Sequence, residues 1–246
     1  ERPHTWITKP HNLHNGHGLR LIDDPSVVPQ EEGWLVQEYV RNPFLFRGRK
    51  VSFRVMVLVT SVSPLRAYLF DGGSCRFALL PYEGDSRETW DHLPMHIGHR
   101  GIFGNRDDII AETEQITGNA HHVWSWDVMR KYIAENGGDT EVLSQRVHRL
   151  ARDVVDLIGQ SGIPERQAEM PCRFAYPPKL LGLDLLIDDE MKPWLLEIER
   201  GPDFFRLFDG HRTNNPYLKS LMRMYVFPLR EPGEDVEECE EKLREP

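Results

Sequence analysis

Apolar residues alternate most cleanly over Lys50–Ser61. There Val51, Phe53, Val55, Val57 and Val59 fall on one face and Lys50, Ser52, Arg54, Met56 and Leu58 on the other. A period of two predicts a strand. Leu65–Asp71 and Ser74–Leu80 read as the next two strands, with Gly72-Gly73 as the turn between them. Upstream, Trp6–Pro10 reads as the end of a strand with nothing before it to pair with, which suggests a missing upstream part. The loop 11–18 carries Gly16 and Gly18, Leu19–Ile22 is a short apolar run, Asp23–Gly33 is a linker, and Trp34–Val40 suits a strand.

Past residue 100 the period lengthens. Asp107–Ile116, Val123–Asn136 and Thr140–Gln160 have helical spacing, and in the last Val147, Leu150, Ala151, Val154, Leu157 and Ile158 line one face. A turn-rich stretch then leads into strands at Leu180–Ile187 and Pro193–Glu199, and Asn214–Val226 reads as a further amphipathic helix. Strands, then helices, then a strand pair predict an α+β fold with a mostly antiparallel sheet.

The last strand pair carries the most chemistry. With a loop at Asp189–Lys192, the register is centred between Glu190 and Met191, which sets Asp184 opposite Glu197; Glu199, two residues on, shares that face. Three carboxylates gathered together repel one another and call for a cation. A hard divalent ion with oxygen ligands, shared with nucleotide phosphates, fits them; a wet hairpin face is the plain alternative. Lys50 and Arg54, on one face of their strand, are a cationic counterpart suited to phosphate. Lys9, followed by the Gly16/Gly18 loop, suits a phosphate cradle in which backbone N–H groups approach oxygens.

Composition narrows the class. The 246 residues carry a formal net charge of −9, which argues against nucleic acid as a partner. From Glu231 onward eight acids face only Lys242 and Arg244, so 231–246 reads as an acidic tail behind a domain spanning 1–230. Cys75, Cys172 and Cys239 form no CxxC pair and point to a reducing compartment, and no apolar run is long enough for a membrane span, so the expected location is cytoplasmic, with no membrane partner.

Taken in order, WITKP (6–10) with GHGLRLI (16–22), LVQEYVRNPFLFRGRKVSFRVMVLVTSVSPLRAYLF (35–70), CRFALLPY (75–82) and LGLDLLIDDEMKPWLLEIERGP (181–202) resemble the tubulin–tyrosine ligase-like family of ATP-grasp ligases. The resemblance implies an ATP-grasp fold lacking its upstream N-terminal lobe. It implies ATP and Mg²⁺ as cofactors, and ligation of a free amino acid to a protein or peptide acceptor, tubulin among the possibilities, through an acyl phosphate. It assigns Lys9 to the α/β-phosphates and Gln37, Glu38, Tyr39 and Val40 to the adenine. Lys50 and Arg54 go to the transferred phosphate or substrate carboxylate, Arg76 to the amino acid or acyl phosphate, and Asp184, Glu197 and Glu199 to the metal. Asp184 and Lys50 also count toward the nucleotide site.

The sequence departs from the family pattern in three places, four positions in all. Ser52 stands in a Lys-Val-Ser-Phe-Arg run where the family has Lys-Phe-Asp-hydrophobic-Arg. Pro94 and Met95 follow His92-Leu93 where it has threonine and asparagine, and Glu199 replaces a metal-site asparagine. The first two changes fall on the acceptor side, and they motivate the alternative of a non-catalytic relative that keeps the fold, with or without nucleotide binding, as an interaction module.

Overall fold

The computed structural model describes residues 4–13, 16–28, 33–98, 123–163 and 178–201. The sequence-predicted helices at Asp107–Ile116 and Asn214–Val226, and the acidic tail, lie outside these residues.

Nine strands and three helices are described: β1 (Trp6–Pro10), β2 (Arg20–Ile22), β3 (Trp34–Glu38), β4 (Leu45–Phe46), β5 (Arg49–Val62), β6 (Leu65–Phe77), α1 (Leu93–His96), β7 (Val123–Ser125), α2 (Trp126–Glu135), α3 (Thr140–Gly159), β8 (Lys179–Ile187) and β9 (Pro193–Arg200). One sheet runs β2-β1-β3, and a larger one runs β7-β6-β5-β8-β9 with β4 beside β5. β1 pairs antiparallel with both β2 and β3, β4 with β5 and β6 with β7. The chain is α+β and mostly antiparallel, as its pattern predicts.

Four expectations change. Trp6–Pro10 is the middle strand of its sheet, partnered by segments that follow it. The stretch 65–80 is one strand to Phe77 rather than two joined by a turn. Its Gly73 is there for closeness: a Cβ would run into the carbonyl oxygen of Arg54 on β5. The third change is at 123–136, where the first three residues extend as β7 and the helix starts at Trp126. The fourth is the register of the β8–β9 hairpin, which bears on the candidate site.

Contacts group the chain into two compact units, one of 1–53, 74–143 and 185–194, the other of 54–73, 144–184 and 195–246. In the first, Phe46 is fully buried and stacks on Phe77 and Tyr132, with centroids 4.9 and 4.4 Å apart; Phe53 meets Trp126 edge-on at 5.1 Å. Such aromatic pairs add to the burial of their own area. α2 ends in a Schellman turn, with Gly138 N–H on the Ile133 carbonyl at 2.9 Å and Gly137 left-handed at φ 83°. α3 then starts on Asp139, whose Oδ1 accepts from Glu141 and Val142 N–H at 3.0 Å each. In the second unit, Met56, Leu58 and Leu180 form a buried cluster with Phe70 against it. Among the described residues no helix is long and apolar enough to cross a membrane.

Candidate functional site

The expected site residues fall into three groups and one single residue. The first group is on β1 and β3. Lys9 Nζ donates to Gln37 Oε1 at 2.9 Å, so the cation expected at phosphate and the amide expected at adenine hold each other. Glu38 is exposed and pairs with His4 at 3.4 Å. Tyr39 donates its backbone N–H to the Thr5 carbonyl at 2.9 Å, and Val40 is half-buried. Gly16 and Gly18 both have positive φ, 76° and 75°, the backbone freedom that a loop following Lys9 needs to turn its N–H groups.

Lys50 anchors the second group. It is 6% exposed. Its Nζ donates to the Tyr39 hydroxyl at 2.7 Å and lies 4.2 Å from the Tyr39 ring centroid and 5.4 Å from that of Tyr82. Burial pushes the amine down to about 7, although the Asp85 carboxylate favours its charge. Behind Tyr39 the network continues: its hydroxyl meets His96 Nδ1 at 2.7 Å, and His96 Nε2 meets the Thr89 carbonyl at 2.9 Å. Burial likewise holds His96 down to about 4 and Tyr82 up to about 12.

Arg54 on β5 and Asp184 on β8 form the third group. The guanidinium grips the carboxylate with two donors, Nε to Oδ1 at 2.5 Å and an Nη to Oδ2 at 2.7 Å. Burial works against the arginine's charge, but the hydrogen bond and charge of Asp184, then the charges of Glu199 and Glu197, outweigh it and raise its pKa. The carboxylates expected to gather thus all act on one guanidinium.

How β8 and β9 are joined differs from the expected register. Asp188 N–H donates to the Lys192 carbonyl and Met191 N–H to the Asp188 carbonyl, with Met191 left-handed at φ 61°. That is a three-residue loop centred on Glu190 itself. Asp188 holds it, accepting from the N–H of Glu190 and Lys192 and from Trp194 Nε1. At the far end Gly201 N–H donates to the Leu180 carbonyl, which is the offset the sequence suggested. From 180 to 188 is eight residues and from 192 to 201 is nine, so β9 carries one extra residue between the two bonds.

Arg76 is half-buried on β6, opposite Val123 of β7. The departing positions have structural work: the Pro94 carbonyl accepts from Leu79 and Leu80 N–H, and Met95 sulfur accepts from Glu83 N–H at 3.4 Å. Ser52 is half-buried on β5. A cavity of about 500 Å³ is lined by Arg41, Phe44, Tyr82, Asn136, Gly138 and Met191 among others.

Among the described residues no three His, Cys, Asp or Glu side chains converge closely enough to hold an ion. The donor chemistry nonetheless suits Mg²⁺, since Asp184, Glu197 and Glu199 supply only hard carboxylate oxygens. Asp184 would have to yield one oxygen that Arg54 now holds.

Comparison with known proteins decides the family. The tubulin-tyrosine ligase family model matches residues 1–231. The chain belongs to the tubulin-tyrosine ligase family. It is 32% identical to tubulin polyglutamylase TTLL5 of Mus musculus over 80% of its length and 15% of that protein's. It is 30% identical to tubulin polyglutamylase TTLL7 of Homo sapiens over 81% of its length and 23% of that protein's. To tubulin monoglutamylase TTLL4 of Homo sapiens it is 28% identical, over 80% and 16%. The chain therefore spans less than a quarter of these relatives, whose names describe proteins several times longer.

Sequence reading missed Tyr82, Asp85, His96 and Thr89. Tyr82 sat in a quoted block, but no spacing ties Asp85 or His96 to Lys50, because the link runs through a loop and a one-turn helix.

Proposed function

We propose that this chain is the ATP-binding part of an ATP- and Mg²⁺-dependent ligase that joins an amino acid to a protein or peptide. In this reading residues 1–230 form the ATP-grasp domain and 231–246 an acidic tail, and the protein works in the cytoplasm, with neither nucleic acid nor membrane as partner. The observation that carries it is the family match over 1–231, with Lys9, Lys50, Arg54, Arg76, Asp184, Glu197 and Glu199 all present.

A carboxylate oxygen attacks the γ-phosphorus of ATP and ADP leaves, which gives an acyl phosphate. The amine then attacks the acyl carbon, phosphate leaves, and the amine proton is lost to solvent. The relatives' names make glutamate the first amino acid to try and tubulin the first acceptor. Mg²⁺, held by Glu197, Glu199 and an oxygen of Asp184, would offset charge on the transferred phosphoryl group.

The chain's own groups do the positioning. Lys50 is a desolvated amine, and the charge it carries when protonated acts strongly on a phosphate because water does not screen it. Lys9 would exchange Gln37 for phosphate. Arg54 would take up the transferred oxygen once one of its donors leaves Asp184, and Arg76 would receive the amino-acid carboxylate.

Arg54's two-donor hold on Asp184 favours a second reading, a non-catalytic relative in which the arginine neutralises the acid in place of a metal. Calorimetric titration with ATP, with and without Mg²⁺, beside Glu197→Ala separates the two. Mg²⁺-dependent binding lost in the variant supports the ligase site. Binding that ignores both Mg²⁺ and Glu197 supports the second reading.

A further inference from the structure

The network behind Lys50 has a fixed direction that follows from its far end. A carbonyl oxygen only accepts, so at 2.9 Å from Thr89 the His96 Nε2 must carry a hydrogen. A neutral imidazole then has Nδ1 as an acceptor, so at 2.7 Å the Tyr39 hydroxyl donates to it. With its hydrogen spent there, the tyrosine oxygen turns its lone pairs to Lys50 Nζ, which donates across 2.7 Å. Every link is charge-neutral up to the amine, and His96 and Lys50 are both nearly inaccessible, at 6% each.

We propose that His96 and Tyr39 are positioning residues for Lys50: His96, locked as one tautomer by the Thr89 carbonyl, sets the Tyr39 hydroxyl so that the tyrosine oxygen holds the buried amine in place. The inference rests on the reading of Lys50 as a phosphate-binding residue and deepens it. Lysine has three donors and no acceptor. One donor goes to Tyr39 and the two tyrosine rings flank the amine, which leaves the other donors to meet a phosphate oxygen on a nitrogen whose place is already fixed. Were the hydroxyl free to rotate, its hydrogen could point at the amine and the hold would be lost.

The groups that bear on this chain are Asp85, His92 and Tyr82, the last also hydrogen-bonded to the Tyr39 hydroxyl, besides Lys50 and His96 themselves. Asp85 stabilises charge on both Lys50 and His96, and is itself engaged by Arg41 at 3.3 Å. Thr89 is held from behind, its hydroxyl 2.8 Å from the Ser86 carbonyl and 3.1 Å from that of Gly84, with its one hydrogen to donate between them. The anchor of the chain is therefore tied to a loop that sits outside the quoted family blocks. Position 96 itself lies just past the departing Pro94-Met95 pair, so this arrangement is a property of the chain as it stands.

The test begins on the unaltered chain. Nitrogen-15 labelling of histidine reads the tautomer of each ring, and the His96 signal is identified by its loss in His96→Asn. The Nε2–H tautomer at neutral pH is expected; the Nδ1–H form, or a protonated ring, would overturn the proposal without any variant having to fold. Next, lysine labelling follows the Lys50 amine across pH while an ATP analogue is titrated. His96→Phe and Tyr39→Phe each move the Lys50 midpoint and weaken analogue binding about tenfold, the scale of one charged hydrogen bond. The double variant is no worse than either single, because both cut one chain. His96→Asn, whose side-chain oxygen can still accept from the hydroxyl, keeps affinity to within about twofold. A folded His96→Phe with an unmoved midpoint and unchanged affinity would sink the idea, since a merely structural role lowers thermal stability and leaves both alone. If the tautomer and midpoint behave as stated but Lys50→Met binds the analogue as well as the unaltered chain, the positioning stands and the phosphate role fails.

Discussion

Lys50 has a signature that stability measurements can read. Its folded value near 7 lies far below the ordinary 10.5 of an unfolded lysine. A depressed group adds stability that is fully present above 10.5 and is lost as pH falls through about 7, because below that the native state must bury a charge. Cys75, buried with its thiol pushed well up, works the opposite way above its ordinary value of 9.0. The clean window is therefore pH 7 to 9. There the chain should gain stability with rising pH at up to about 1.4 kcal/mol per unit, and Lys50→Met should flatten that rise in chemical-denaturation curves taken at each pH. Arg54 and Asp184 predict a different result. Asp184→Asn removes the carboxylate that the guanidinium grips with two donors, and should cost about 3 kcal/mol in urea unfolding, the lower end for a broken buried pair. Replacing both, Arg54→Met with Asp184→Leu, should return most of it, because neither charge of the buried pair is left without the other. If the double variant is as unstable as the single, the loss comes from packing and the ion-pair account is wrong.

At the scale of elements, most of the layout was legible because period and burial agree. The runs at 50–61, 140–160 and 180–187 came out as β5, α3 and β8 within a residue or two. The misses share a cause, which is that backbone placement depends on partners distant in sequence. Gly72-Gly73 looks like a turn from composition alone, and only the neighbouring β5 shows why the second glycine is required. The hairpin register needed the left-handed Met191 and the Asp188 side-chain bonds, neither of which hydrophobic pattern reports. For the candidate site, spacing led to the expectation that the three carboxylates share a strand face, but gave no hint that Arg54 would hold Asp184 with two donors. The glycine pair makes a discriminating test. Gly73→Ala drives a methyl into the Arg54 carbonyl, a backbone atom with no room to swing, and should cost about 1–3 kcal/mol. Gly72→Ala meets first the ring of Phe70, which can move, and loses a strand glycine's conformational freedom, so it should be close to neutral. Equal costs in thermal melts would mean that the close approach of β6 to β5 is not what Gly73 serves.

For the molecule as a whole, net charge complicates any reading of Mg²⁺ dependence. A chain at −9 repels a polyphosphate at long range, so a divalent ion that neutralises ATP would improve binding even with no protein ligand for the metal. Salt separates the two contributions. At physiological ionic strength the screening length is about 8 Å, and it shortens further as salt is added, so long-range repulsion fades while contacts between carboxylates and a bound ion persist. A ligand that binds only the folded chain raises its stability by about 2.7 kcal/mol at a hundred times its dissociation constant. For a chain of this size that is a rise in melting temperature of about 5–10 °C. Mg·ATP should produce such a rise at low and high salt alike, and ATP alone only a fraction of it at either. Glu197→Ala should lose the difference that survives high salt, while Lys50→Met should lose the rise altogether. If ATP with and without Mg²⁺ become equivalent once salt is high, the ion acts only on the nucleotide's charge, and the roles given to Asp184, Glu197 and Glu199 fall while that of Lys50 remains.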